Sequence, residues 1–143
     1  DGRYFLEKRI GSDGAGRARI RFSRAARQAL EDATLTKGDV FAAAQIAGIL
    51  AAKQTAMLIP LAHPIPLDQV DVTFDWESDA LRVQAEARTT AATGVEMEAL
   101  VAVSIAALTI YDMAKSLDHG IRIENIELRE KTGGKSGSWK RSR

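Results

Sequence analysis

Two long stretches of this chain space their apolar residues as helices do, and two shorter ones alternate them as strands do. In VFAAAQIAGILAAKQTAM, residues 40–57, Val40, Ala43, Ala44, Ala47, Leu50 and Ala51 recur every three to four positions, which predicts a helix. Gly38 and Asp39 supply the break and the cap before it. Its many alanines, with Gly48, imply close backbone packing against another element. The longest periodic segment begins near Thr93 and runs through GVEMEALVAVSIAALTIYDMAKSLD. From Ala99 to Tyr111 it carries no charged side chain, so most of its sides must be covered, by its own sheet or by a partner subunit. That run of 13 residues is too short for a membrane span and includes Ser104 and Thr109.

Alternation marks the strands. QVDVTFD, residues 69–75, sets Val70, Val72 and Phe74 on one face, and LRVQAEART sets Leu81, Val83, Ala85 and Ala87 on one face, with ESDA between them as a hairpin turn. ARIRF, residues 18–22, and IRIENIEL, residues 121–128, predict two more strands. Ser23 caps a short helix over RAARQALEDA, whose stripe is Ala25, Ala26, Ala29 and Leu30. The order is strand, helix, helix, strand, strand, helix, strand. With one early helix taken as an addition, it is the α+β ferredoxin-like split β-α-β-β-α-β arrangement, with an antiparallel sheet. One sheet face is then left for helices and the other for a subunit contact. The chain of 143 residues reads as a single domain, residues 1–143, ending in KTGGKSGSWKRSR, a flexible basic segment over 131–143 expected to order only on contact with something else.

Net charge is +1, but the charges are polarised. Residues 1–31 hold eight Lys or Arg against four Asp or Glu, residues 129–143 hold six against one, and the middle is acidic. Basic ends on an acidic body favour a local pocket for a phosphorylated ligand over nucleic acid, since no aromatic–basic repeat is present for base stacking. Without cysteine there is no disulfide, thiolate nucleophile or thiolate-held metal. DGRYFLEKRI lacks an apolar targeting core, which favours a cytoplasmic setting without a membrane anchor.

All three prolines fall within seven positions of LIPLAHPIPL, around His63. They end the preceding helix and restrict the loop backbone, a means of holding an imidazole beside a ligand. Asp112 and Lys115, spaced i,i+3 at the end of the apolar run, are able to form a proton-transfer pair. Glu98 lies 14 residues earlier on nearly the same face, but roughly 21 Å along the axis, too far to serve one small reacting centre within one chain. Lys37 precedes a helix start, Lys53 leaves that helix, and Lys131 and Lys135 flank TGG; with His63 they read as a distributed polyphosphate pocket. The P-loop and zinc-hydrolase motifs are missing, so no metal ligand is assigned, and magnesium enters only with a triphosphate.

Taken together, KGDVFAAAQIAGILAAKQTAMLIPLAHPIPL, TGVEMEALVAVSIAALTIYDMAKSL and KTGGKSGSW closely resemble the MoaC family, the cyclic pyranopterin monophosphate synthases of molybdenum-cofactor biosynthesis. The likeness spans about residues 18–139, with residues 1–17 divergent. It implies a lyase acting on a cyclised guanosine triphosphate intermediate and releasing pyrophosphate, with no required cofactor. By the resemblance, substrate contact falls to Leu61, Ala62, His63, Met97 and Glu98, the catalytic acid/base role to Asp112 with Lys115 as partner, and further pocket positions to Lys37, Lys53, Lys131 and Lys135. The family also implies a homo-oligomer, a hexamer built as a trimer of dimers. The family's usual LCHP and DMCK stand here as LAHP and DMAK, so sulfur chemistry at Ala62 and Ala114 is no part of this protein's activity.

Overall fold

The computed structural model describes residues 11–33, 35 and 38–142. Five strands, β1 (Ser12–Arg21), β2 (Gln69–Trp76), β3 (Leu81–Thr89), β4 (Arg122–Thr132) and β5 (Trp139–Lys140), form one sheet in the order β2-β3-β1-β4-β5. Every neighbouring pair is antiparallel. The four longer strands carry the split β-α-β-β-α-β arrangement that the apolar pattern predicts, and β5 adds a two-residue edge. Helices α1 (Arg24–Glu31), α2 (Val40–Ala52), α3 (Thr55–Leu58) and α4 (Glu96–Ala114) complete it, with α1 to α3 all in the crossover between β1 and β2.

Period-two alternation gives the sheet two unlike faces. Ala18, Ile20, Val72, Leu81, Val83 and Ala85 are buried in one core with Ala102, Val103, Ala106 and Ile110 of α4. Full burial of a large aliphatic side chain such as Leu81 or Ile110 is worth about 1.5–3 kcal/mol. The intervening residues form ion pairs on the other face: Arg17 with Glu127 at 2.8 Å, Arg19 with Glu77 at 2.8 Å, and Arg21 with Asp79 at 2.7 Å and with Glu124. The alternating arginines of ARIRF are therefore the polar side of a strand.

The two alanine-rich helices pack on each other as Gly48 predicts. A Cβ added there would lie 2.9 Å from the Ala102 carbonyl oxygen and 3.3 Å from the Ala106 Cβ, so α2 and α4 approach too closely for any larger residue. By length and mean hydropathy, 19 residues at 1.6, α4 matches a membrane-crossing helix, but half of it is buried in this fold. Its inner face is packed on the sheet.

Three boundaries differ from the sequence expectation. β1 starts at Ser12 rather than Ala18, because Gly14 and Gly16 hide its alternation; a Cβ at Gly14 would meet the Val95 carbonyl oxygen at 2.7 Å, where α4 begins. The helix expected over 40–57 breaks at Lys53 and Gln54 into α2 and the single turn α3. Thr55 Oγ1 donates to the Ala52 carbonyl at 2.8 Å, which satisfies an acceptor freed by the break. Lastly, the segment after Glu130 has regular structure: Lys131 and Thr132 finish β4, and the chain turns back to pair Trp139 with Lys131.

Candidate active site

The N-terminal end of α4 is approached by Lys53 and His63 on the side of Glu98 and by Lys131 on the side of Glu96. Val95 occupies the cap position without a side-chain hydrogen bond, and Glu96 and Glu98 fill the first turn, where a carboxylate is favoured by the helix dipole. Two residues on a helix differ by about 200°, so these carboxyls point to opposite flanks, with Met97 between them facing outward. Met97 is 38% exposed, whereas Glu98 is only 3% exposed.

On the Glu98 flank there is a cleft of about 320 Å³, lined by Lys53, Gln54, Met57, His63, Pro64 and Glu98 among others. Each wall has a local cause. The break after α2 puts Lys53 at the cleft edge, and α3 ends at Leu58, followed by Ile59, whose extended backbone leads into Pro60. The loop is steadied at its start by Ala62 N–H donating to the Ile59 carbonyl at 3.0 Å, and at its end by Asp68 N–H donating to the Arg88 carbonyl at 2.8 Å. His63 and Lys53 are exposed at the cleft, while Glu98 forms its buried side. Burial pushes the Glu98 carboxyl above the usual carboxylate range; the bond from its own backbone N–H opposes that rise, and the charge of Glu96 adds to it.

The Glu96 flank faces the C-terminal hairpin. Lys131, 7% exposed, donates to Ser136 Oγ at 2.5 Å and lies 3.6 Å from Glu96 Oε1. Gly133 and Gly134 take φ of 74° and 76°, turning the chain so that Ser136 returns to Lys131. Lys131 is thus a buried, internally paired cation rather than part of a loose strip, while Lys135 is exposed in the turn. Glu96, the partner of Lys131 here, has no role assigned from the sequence. Its signal was the acid–apolar–acid pattern of EME opposite a basic tail.

Asp112 and Lys115 occupy the far end of α4. Lys115 Nζ lies 2.6 Å from Asp112 Oδ1, with both side chains more than half exposed. The hydrogen bond and charge of Asp112 hold the Lys115 ammonium above the usual lysine range. Fourteen residues of helix, about 21 Å of rise, separate this pair from Glu98, so one chain does not unite them. Leu61 is 91% exposed on the proline loop, and Ala62 is partly buried beside it. Lys37 lies outside the described residues. Among the described residues, no group of three or more His, Cys, Asp or Glu is arranged to hold a metal ion.

The family model described as "MoaC family" matches residues 8–134. A cyclic pyranopterin monophosphate synthase of Nostoc sp. is 54% identical over 124 residues, covering 85% of this chain and 74% of the relative. The synthase of Novosphingobium aromaticivorans is 55% identical over 124 residues, covering 87% and 79%, and that of Thermomicrobium roseum is 49% identical over 127 residues, covering 87% and 76%. With most of its length matched at about half identity, this chain belongs to the MoaC family.

Proposed function

We infer that the protein is a cyclic pyranopterin monophosphate synthase, converting 3′,8-cyclo-7,8-dihydroguanosine 5′-triphosphate into cyclic pyranopterin monophosphate and pyrophosphate. The observation that carries this reading is the cleft joining Lys53, His63 and Glu98 at the start of α4, in a chain about half identical to proteins of that name. The reaction rearranges the guanine-derived ring, which needs proton transfer near the base. It also closes a cyclic phosphate: a sugar-derived hydroxyl oxygen bonds to the α-phosphorus and gives up its proton, the bond to the β-phosphate breaks, and pyrophosphate leaves.

Each demand finds a group in this chain. Lys53, with Lys37, Lys131 and Lys135, supplies positive charge for the phosphates. Leu61, Ala62, His63, Met97 and Glu98 contact the substrate, and Glu98, with its raised carboxyl, suits hydrogen bonding to the base. Asp112 and Lys115 transfer protons. Lys131 meets the phosphates by exchanging its bond to Ser136 for one to the ligand. Magnesium accompanying the triphosphate is compatible with this scheme.

The 21 Å between Glu98 and Asp112 is resolved by a second copy of the chain. Ile46 and Leu50 of α2 and Leu108 of α4 are each more than half exposed, apolar area of the kind an interface covers. In a homo-oligomer, a hexamer of three dimers by resemblance to the family, Asp112 and Lys115 of one copy meet His63 and Glu98 of another.

Incubation with the cyclised triphosphate, following cyclic product and pyrophosphate together, tests the reading. Release of both in equal amounts is expected. Triphosphate binding without pyrophosphate release would instead make the protein a nucleotide-binding module.

A further inference from the structure

We propose that Thr89 is a positioning residue for the reaction, acting through the two segments that wall the cleft. Thr89 is the last residue of β3, is 1% exposed, and does not line the cleft. Its Oγ1 donates to the Pro66 carbonyl oxygen at 2.7 Å and accepts the Ala91 N–H at 3.0 Å. The first bond grips the proline loop three residues after His63. The second fixes the start of the segment that delivers Val95, Glu96 and Glu98. One hydroxyl, acting as donor and acceptor, therefore ties both walls to the end of the same strand.

The chemistry of the loop explains why such a tie matters. Pro60, Pro64 and Pro66 contribute no backbone N–H, so the loop has few donors with which to bond itself in place, whereas its carbonyls still need partners. Ile65 and Leu67 pack on Ala87, Val95 and Ala99, which presses the loop down without setting its direction. A hydrogen bond is directional, and the one from Thr89 sets the loop between His63 and the bond of the Asp68 N–H to the Arg88 carbonyl. Loss of the hydroxyl frees the Pro66 carbonyl and the Ala91 N–H together, and the His63 and Glu98 sides of the cleft lose their common reference. Because a shift of about 1 Å at a reacting centre is able to cost on the order of 100-fold in rate, a small displacement is enough.

This inference rests on the cleft being the place where substrate reacts, and the experiment separates the two ideas. Pyrophosphate release from the cyclised triphosphate is measured for Thr89→Val, which keeps the shape and removes the hydroxyl, for Thr89→Ser, for His63→Ala, and for Thr89→Val with His63→Ala. The expected result is a loss of about tenfold in kcat/KM for Thr89→Val, near-complete rescue in Thr89→Ser, and a double variant whose combined loss is smaller than the product of the two single losses, because only the part of the Thr89 effect that passes through Glu98 remains once His63 is gone. Full kcat/KM in folded Thr89→Val, even with a lower Tm, would reduce Thr89 to a structural residue. So would a double variant whose losses multiply. Full activity of His63→Ala would overturn the cleft reading itself, and the inference with it. Should Thr89→Val fail to fold, Thr89→Ser and Thr89→Cys replace it, being alike in shape but unequal as donors; equal activity in these two would contradict the proposal.

Discussion

The two ends of α4 carry ionisable groups in opposite circumstances. At the N-terminal end Glu98 is sealed into the cleft wall and Lys131 is buried against Glu96 and Ser136. At the C-terminal end Asp112 and Lys115 share a short bond in the open, with more than half of each side chain exposed. Buried charges stabilise or destabilise the fold according to their pairing, whereas an exposed pair contributes little to stability. The contrast separates groups whose pairing bears on the stability of the fold from an exposed pair whose loss leaves that stability nearly unchanged.

Substitutions at the two ends should accordingly differ in kind. Lys115→Ala and Asp112→Ala are expected to lower kcat by about 100-fold or more, the scale of a lost proton-transfer group, with Tm nearly unchanged. Normal turnover in both would remove that end from the chemistry. Lys131→Ala at the other end leaves the Glu96 carboxylate without its cation, so denaturant unfolding should show a loss of about 1–3 kcal/mol, accompanied by weaker triphosphate binding. Stability equal to wild type would mean that Glu96 finds water as readily as Lys131.

Glu98→Gln is a smaller and pH-dependent test. The folded protein holds the Glu98 proton to higher pH than the unfolded chain does, so this group's contribution falls as pH rises from the unfolded carboxylate value through the raised folded one. Gln carries no such dependence. The variant should match wild type in acid and gain a few degrees of Tm on it at neutral pH, while losing activity. A Tm difference independent of pH would contradict a raised carboxyl. Least of all, Arg19→Ala on the outer sheet face should cost under about 1 kcal/mol, because its partner Glu77 and neighbours remain hydrated. A larger loss would show that the ion-pair face is as demanding as the cleft.

How far the sequence exposes this arrangement depends on whether a residue's environment is set locally. β2, β3 and α4 are legible because their apolar spacing answers directly to the sheet and helix faces they cover, whereas in α2 the helix is legible but its face only in part, since Leu50 of the expected stripe is 53% exposed. The first half of β1 is not, since Gly14 and Gly16 carry no side chain to alternate, and the reason for both glycines, the close approach of α4, is a tertiary one. The proline loop announces itself by composition, as does the possibility that it frames His63. Nothing local tells that Glu98 is buried and Met97 exposed, because a first-turn glutamate ordinarily faces water. The confinement of Lys131 likewise depends on a hairpin formed by β4 and β5, while a run of glycine and lysine reads as a loose tail. The role of Thr89 is hidden for the same reason: both of its partners are loop backbone atoms, which leave no residue-specific pattern.

Mixing inactive variants tests most directly whether the reaction centre combines opposite ends of two copies of α4. His63→Ala and Lys115→Ala chains, each inactive alone, are co-expressed and assayed for pyrophosphate release. Random assembly should restore about a quarter of the sites, each taking its intact loop from one variant and its intact lysine from the other. A co-expressed mixture no more active than its components would contradict a centre shared between copies.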